Sequence, residues 1–218
     1  MIFNHKHMKA IIILLFPVLM FGQTETHTIG DNLLIFDDEM VSSTGDTFYL
    51  EDLKGDNGMI IIFISNTCPF VKEYSSELTD IYDLAIANKV GMTLINSNFG
   101  YRSTTESKDE MFRVSNRDGY DVIPYLVDKD AKIADLFHAN TTPHVFFLDS
   151  NGELVYKGAI DDRFENKNRK ATKHYLIDAI ISVGKNEIPK LQETKNIGCS
   201  IKRVKSSKGN RKGYQVVE

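Results

Sequence analysis

Met59-Ile60-Ile61-Ile62-Phe63-Ile64-Ser65-Asn66-Thr67-Cys68-Pro69-Phe70-Val71-Lys72-Glu73-Tyr74 is the stretch on which the reading of this chain turns. Its first six residues are apolar and mostly β-branched, and Gly55-Asp56-Asn57-Gly58 breaks the chain just before them, the pattern of a strand buried on both faces. Beyond Pro69 the period changes. Val71, Tyr74, Leu78, Ile81, Tyr82 and Ala85 fall on one face of a helix expected to run to about Asn88. Cys68 stands at the joint, with Pro69 in the first helical position, where its missing N–H would have had no partner. A thiol in that place faces unpaired backbone N–H groups and the positive end of a helix dipole, and both favour the thiolate. Cys68 is therefore the candidate nucleophile, set against the alternative of an inert buried thiol that acts as a small hydrophobe.

Outward from this joint the chain alternates strand and helix signals. On the N-terminal side, Leu33 to Phe36 precedes an acidic turn at Asp37, Asp38 and Glu39, Thr47 to Leu50 reads as a short strand, and Leu50 to Gly55 as a single helical turn. On the C-terminal side, Val90 to Asn96 reads as a second buried strand, parallel to the first because a helix intervenes. Its polar end, Asn96-Ser97-Asn98 with Arg102 and a Ser/Thr cluster, is either a ligand loop at a carboxyl sheet edge or a solvated cap for a helix over Glu106 to Asn116. A short strand over Val122 to Val127 and a short helix over Asp130 to His138 follow. Thr142-Pro143-His144 then leads into Val145 to Leu148, an Asp149-Ser150-Asn151-Gly152 turn and Glu153 to Gly158, a hairpin signal. A last helix over Lys170 to Val183 ends at Gly184. The expectation is an α/β fold in which a parallel βαβ half is joined to an antiparallel hairpin.

The two ends are of other kinds. Residues 1–23 carry Lys6 and Lys9, then an apolar run from Ala10 to Phe21 interrupted by Pro17, then Gly22-Gln23. This is the form of a bacterial secretory signal cleaved near Gly22 or Gln23, too short for a span of roughly 20 apolar residues, with an uncleaved anchor as the alternative. It predicts a periplasmic or secreted protein with no stable membrane anchor after cleavage. Residues 185–218 form a basic tail, of the composition usually found in a solvated or frayed end, with a small apolar knot at Ile197-Gly198-Cys199-Ser200-Ile201. Between them, residues 27–184 make one domain. A net charge of −4 over 218 residues, with no basic stripe interleaved with aromatics, excludes a nucleic-acid partner. Only two cysteines occur, Cys68 and Cys199, too few for a disulfide scaffold and enough for one reactive pair. No Cys/His spacing of the zinc kind is present, so neither a metal nor another cofactor is expected.

Strand, Cys at a helix start, helix, strand, X-Pro, hairpin and covering helix is the order of the thioredoxin fold. From about Ile29 to Gly184, and again over Gly198 to Lys202, the chain resembles the redoxins of the alkyl hydroperoxide reductase and thiol-specific antioxidant (AhpC/TSA) family, in its peroxiredoxin-like branch. Asn66-Thr67-Cys68-Pro69-Phe70-Val71, Ile95-Asn96-Ser97-Asn98, Thr142-Pro143, Gly158-Ala159-Ile160-Asp161-Asp162 and the Gly198 to Lys202 segment carry the likeness. The resemblance implies a thioredoxin-like fold with a central mixed sheet flanked by helices. It also implies a cis Thr142-Pro143 bond that sets the Thr142 backbone beside the thiol as a substrate groove. Two departures matter. Ser65 stands where relatives often carry the first cysteine of a Cys-x-x-Cys pair, and Ile61 stands where peroxiredoxins carry a proline.

Three readings follow. In the first, Cys68 attacks a hydroperoxide with Ser65 as a hydrogen-bonding partner, and Cys199 or an external thiol reductant reduces the product. In the second, Cys68 exchanges disulfides with protein thiols. In the third, the domain is redox-silent and binds a peptide near Thr142-Pro143. Cys199 either resolves the oxidised Cys68 or forms a static staple with it. Arg102 and Arg163 are the candidates for a catalytic arginine. His144, His138, Asp161 and Asp162 are weaker candidates, each with an ordinary structural alternative.

Overall fold

The computed structural model describes residues 26–33 and 39–204. The signal segment expected over residues 1–23 lies outside the described residues.

In chain order the elements are β1 (Glu39–Val41), β2 (Thr47–Tyr49), β3 (Met59–Ile64), α1 (Pro69–Lys72), α2 (Leu78–Ala87), β4 (Gly91–Asn96), α3 (Lys108–Asp118), β5 (Tyr125–Val127), α4 (Lys132–Leu136), β6 (Thr141–Thr142), β7 (His144–Leu148), β8 (Leu154–Gly158), α5 (Tyr175–Gly184) and β9 (Cys199–Ser200). The main sheet runs β5-β4-β3-β7-β8. β3, β4 and β5 are parallel, whereas β7 pairs antiparallel with β3 and β8 antiparallel with β7, so the sheet is mixed as the βαβ half and the hairpin required. β1 and β2 form a separate hairpin, and β6 and β9 a third small ribbon.

β3 is the central strand, and all six of its residues are buried. Because side chains alternate along a strand, Ile60, Ile62 and Ile64 enter one core layer with Leu78, Ile81, Val114, Leu176 and Ile180 of α2, α3 and α5. Met59, Ile61 and Phe63 enter the other, with Ile133 of α4 and Phe137 just beyond it. An alternating strand would have left one face wet. The unbroken apolar run is what two covered faces demand.

The helix expected from Pro69 to Asn88 is broken into α1 and α2 by a turn over Glu73 to Glu77. The cause is tertiary: the carbonyl of Glu73 accepts from the guanidinium of Arg163 at 2.9 Å, and Glu77 pairs with the same group at 2.6 Å. The last helix begins at Tyr175 rather than near Lys170, because the Asp162 carboxylate takes the backbone N–H groups of Thr172 and Lys173 and holds that stretch as a loop.

The basic segment after Gly184 does not leave the domain within the described residues. Lys157 donates its backbone N–H to Gln192, and Thr194 donates back to Lys157, so residues 192–194 cover the outer edge of β8. An exposed strand edge is a pairing hazard. Here the chain's own C-terminal part covers it. Gly158 closes β8 with φ +136°, and a Cβ there would lie 2.2 Å from the Thr194 hydroxyl, so this position needs glycine twice over. The segment then crosses to β6, where it becomes β9.

Candidate active site

Cys68 caps the start of α1 in an extended conformation, followed by Pro69, where the change of period placed it. It is 2% exposed. Its Sγ donates to the carbonyl oxygen of Thr142 at 3.1 Å, across 74 residues of chain. The Thr142-Pro143 bond is cis. Thr142 also pairs with Cys199 in the β6–β9 ribbon. Both cysteines are free thiols, brought together at Thr142.

Cys199 is half-exposed to solvent. Burial, then the neighbouring Cys68, push its thiol up to about 11, against a weaker pull from Lys202. It therefore keeps its proton at neutral pH. Two thiols, one buried and one more accessible, adjoin Thr142.

The turn that delivers Cys68 is held by Glu106, which lies just before α3 and is fully buried. Its carboxylate accepts from the Ser65 hydroxyl at 2.7 Å, the Asn66 backbone N–H at 3.0 Å, the Thr67 hydroxyl at 2.9 Å and the Asn96 amide at 2.6 Å. All four partners are donors, which suits an ionised carboxylate that can only accept. Ser65, expected to serve peroxide or thiolate, has its hydroxyl committed to Glu106. Glu106 was read only as a helix start. The signal that would have set it outside the helix is Ser107-Lys108-Asp109-Glu110, a capping pattern in which the Ser107 hydroxyl accepts from the Glu110 N–H at 3.2 Å.

The two candidate arginines serve the scaffold. Arg102 reaches the carbonyls of Glu106 and Asn96 at 2.5 and 2.6 Å, and burial pushes its pKa down despite Tyr125, Glu106 and Asp128 nearby. Arg163 pairs with Asp161 at 2.7 Å and Glu77 at 2.6 Å and lies 4.0 Å over the ring of Tyr74. Burial works against its charge, but Glu77 and Asp161 hold its pKa above the usual value. Asp161 also accepts the Tyr74 hydroxyl at 2.8 Å. Asp162 is held below the usual carboxylate range chiefly by the Thr172 hydroxyl. Asp161 and Asp162 thus order the chain after β8.

His144, one residue past Pro143, stacks its ring 4.4 Å from that of Phe146 and has a buried Nδ1 without a hydrogen-bond partner. Burial, then Lys157, pushes its pKa down to about 4, so it is neutral at physiological pH. His138 lies 4.8 Å from His27, ring to ring. Among the described residues, no group of three His, Cys, Asp or Glu side chains is placed to hold a metal ion, and no helix is long and apolar enough to cross a membrane.

The AhpC/TSA family model matches residues 30–157, more than half of the chain, spanning Ser65, Cys68, Glu106, Thr142 and Pro143. The chain belongs to the AhpC/TSA family. Its solved likenesses include an uncharacterized conserved protein from Geobacillus kaustophilus, at 29% identity and a TM-score of 0.75, covering 83% of this chain and 94% of that one. A hypothetical protein, SMc02350, from Sinorhizobium meliloti 1021 is 27% identical with a TM-score of 0.75, covering 85% and 98%. Peroxidoxin BcpB from Mycobacterium tuberculosis shares the fold at 14% identity and a TM-score of 0.52, covering 72% and 96%. No curated protein matches the chain. The architecture is thioredoxin-like, and AhpC/TSA membership supports thiol-based redox chemistry as the general class of function. The family match ends before Cys199, so the second thiol is a feature of this chain's C-terminal part.

Proposed function

We propose that this AhpC/TSA protein is a two-cysteine thiol peroxidase, exported to the periplasm, with Cys68 as the peroxide-attacking residue and Cys199 as the resolving one. The observation that carries the reading is the convergence of both cysteines on Thr142, whose carbonyl accepts from the Cys68 thiol and whose backbone pairs with Cys199. Two thiols beside one residue make disulfide formation a short-range event rather than a search.

In the first step the Cys68 sulfur attacks one peroxide oxygen. An S–O bond forms, the O–O bond breaks, and the thiol proton leaves with the departing alcohol or water, giving a sulfenic acid. In the second, the Cys199 sulfur attacks the Cys68 sulfur. The S–S bond forms, the S–O bond breaks, and the Cys199 proton leaves with the hydroxyl as water. Two equivalents of an external thiol then reopen the disulfide, entering at the more accessible Cys199 sulfur and freeing Cys68. A small oxidant fits a sulfur that is 2% exposed and whose neighbouring backbone edge is already paired.

Steady-state peroxide reduction with an external dithiol tests the reading. Cys68→Ser abolishes it, whereas Cys199→Ser, given peroxide in the absence of the dithiol, shows a single burst that ends in sulfenic acid at Cys68. Equal turnover in both variants overturns it. A second reading, thiol–disulfide exchange with protein partners, is favoured by Arg102 and Arg163, which hydrogen-bond to groups other than the reactive sulfur. Mixed disulfides trapped on Cys68 in the Cys199→Ser protein, with no peroxide burst, would select it. Export rests on the signal pattern of residues 1–23. A mature protein recovered from the periplasmic fraction with an N-terminus at Gly22 to Thr24 supports that part.

A further inference from the structure

The segment Gly198–Arg203 is recognised along its length, in the manner of a bound peptide. Gly198 passes so close to Thr142 that a Cβ there would lie 2.1 Å from the Thr142 carbonyl oxygen. Cys199 and Ser200 pair with Thr142 and Thr141 in antiparallel register. Ile201 donates its N–H to Asn140 at 2.9 Å and buries its side chain, 6% exposed, among Phe63, Phe137 and Ala139. Lys202 uses both backbone groups, donating to the Asn98 side chain at 2.8 Å and accepting from Gly100 at 2.8 Å. Arg203 pairs with Asp135 at 2.6 Å and donates to the Ala139 carbonyl at 2.8 Å. The segment places a cysteine on the Thr141–Thr142 edge, whose Thr142 carbonyl accepts from the buried Cys68 thiol.

We infer that Gly198–Arg203 is a substrate-selecting arm. Seated, it occupies the Thr141–Thr142 edge as a built-in cysteine peptide and admits only small reagents to Cys68; displaced, it leaves that edge to an extended cysteine-containing segment of another protein. The inference rests on Cys68 being the nucleophile, as proposed above. A strand added to a sheet edge derives its affinity from backbone bonds and its selectivity from side-chain pockets. The arm has both, the pocket being that of Ile201. As a tethered competitor it acts at an effective concentration on the order of millimolar, which outcompetes a micromolar peptide in trans.

The test uses the full chain in a Cys199→Ser background, so that Cys68 is the only thiol. The probes are a small aromatic disulfide and a synthetic peptide of the sequence Asn196–Arg203 that carries its cysteine as a disulfide with the same aromatic thiol. Gly198→Val unseats the arm by collision with Thr142, and Arg203→Glu, a surface change, weakens it by repulsion from Asp135. For each protein the readout is the rate of Cys68 with the peptide divided by its rate with the small disulfide. We expect that ratio to rise by about tenfold or more in the Gly198→Val protein and by a smaller factor in the Arg203→Glu protein. A ratio unchanged in both, with Cys68 still reacting with the small disulfide, overturns the arm and leaves the nucleophile intact. Failure of Cys68 to react with either probe in any folded variant overturns the nucleophile, and the arm with it.

Discussion

Replacing Glu106 by alanine removes the acceptor for four donors at once: the Asn66 N–H, the Asn96 amide, and the hydroxyls of Ser65 and Thr67. The two hydroxyls can rotate toward other acceptors, but the two N–H donors are fixed, the Asn96 amide buried and the Asn66 N–H part-buried. A buried donor left unpaired costs about 1–3 kcal/mol. One such donor, a second partly shielded one and a cavity where the side chain stood give a destabilisation of about 2–4 kcal/mol. That is a large part of the roughly 5–15 kcal/mol that holds a domain together. Glutamine at the same position is a milder change. Its oxygen can serve Asn66 and Asn96, while its NH2 donates to the two hydroxyls, which reverse roles and accept. What is lost is the charge, worth about 1–2 kcal/mol over bonds of this kind. Urea unfolding at unchanged slope measures both. A cost for Glu106→Ala below about 1 kcal/mol, or equal costs for the two variants, would refute the assignment of Glu106 as the acceptor that fixes the turn before Cys68.

Three further outcomes follow from named groups. Alkylation of Cys199 should titrate near pH 11, and in the Cys68→Ser protein its midpoint should fall toward the ordinary thiol value; an unperturbed midpoint in the native protein contradicts the placement of Cys68 as its neighbour. Because burial and Cys68 raise that pKa in the fold, the associated stability is complete below about pH 8.5 and is lost as pH climbs toward 11, which urea midpoints across that range will show. His144 has the opposite sign: its folded pKa is depressed to about 4, so stability present above about pH 6.5 declines as pH falls toward 4, and His144→Phe should flatten the decline. Gly158→Ala forces a side chain into φ +136° and against the Thr194 hydroxyl, and should cost about 2 kcal/mol or more in thermal or urea unfolding.

The architecture was legible because its signals are strong and local. Met59–Ile64 is a run that only a doubly covered strand explains, and Pro69 fixes the point where sheet gives way to helix. The Asn151-Gly152 turn set the hairpin of β7 and β8. Legibility failed where a distant side chain captured the backbone. Nothing in Glu73-Tyr74-Ser75-Ser76-Glu77 says that Arg163, 90 residues after Glu73, will take the Glu73 carbonyl. The C-terminal segment misled through composition. Lys185, Lys190, Lys195 and Lys202 are exposed, while Ile201 and the backbone of Cys199 to Lys202 hold the segment to the domain, and backbone bonds leave no trace in residue type.

The site was half legible. Cys68 and cis Thr142-Pro143 came from position and resemblance, and the structure brings them together. Whether Cys199 reaches them is a question of chain path, which spacing along the sequence does not encode. Ser65 lies in the turn before Cys68, yet its hydroxyl bonds the buried Glu106, and buried carboxylates are rarely anticipated because Glu is so often a surface residue.

The most direct measurement is non-reducing peptide mapping of the native protein after one equivalent of hydroperoxide. The account predicts a single intramolecular Cys68–Cys199 disulfide, formed in step with peroxide loss and fully reopened by a dithiol. A Cys68 that stops at the sulfenic acid or goes on to the sulfinic acid while Cys199 stays a free thiol would contradict it.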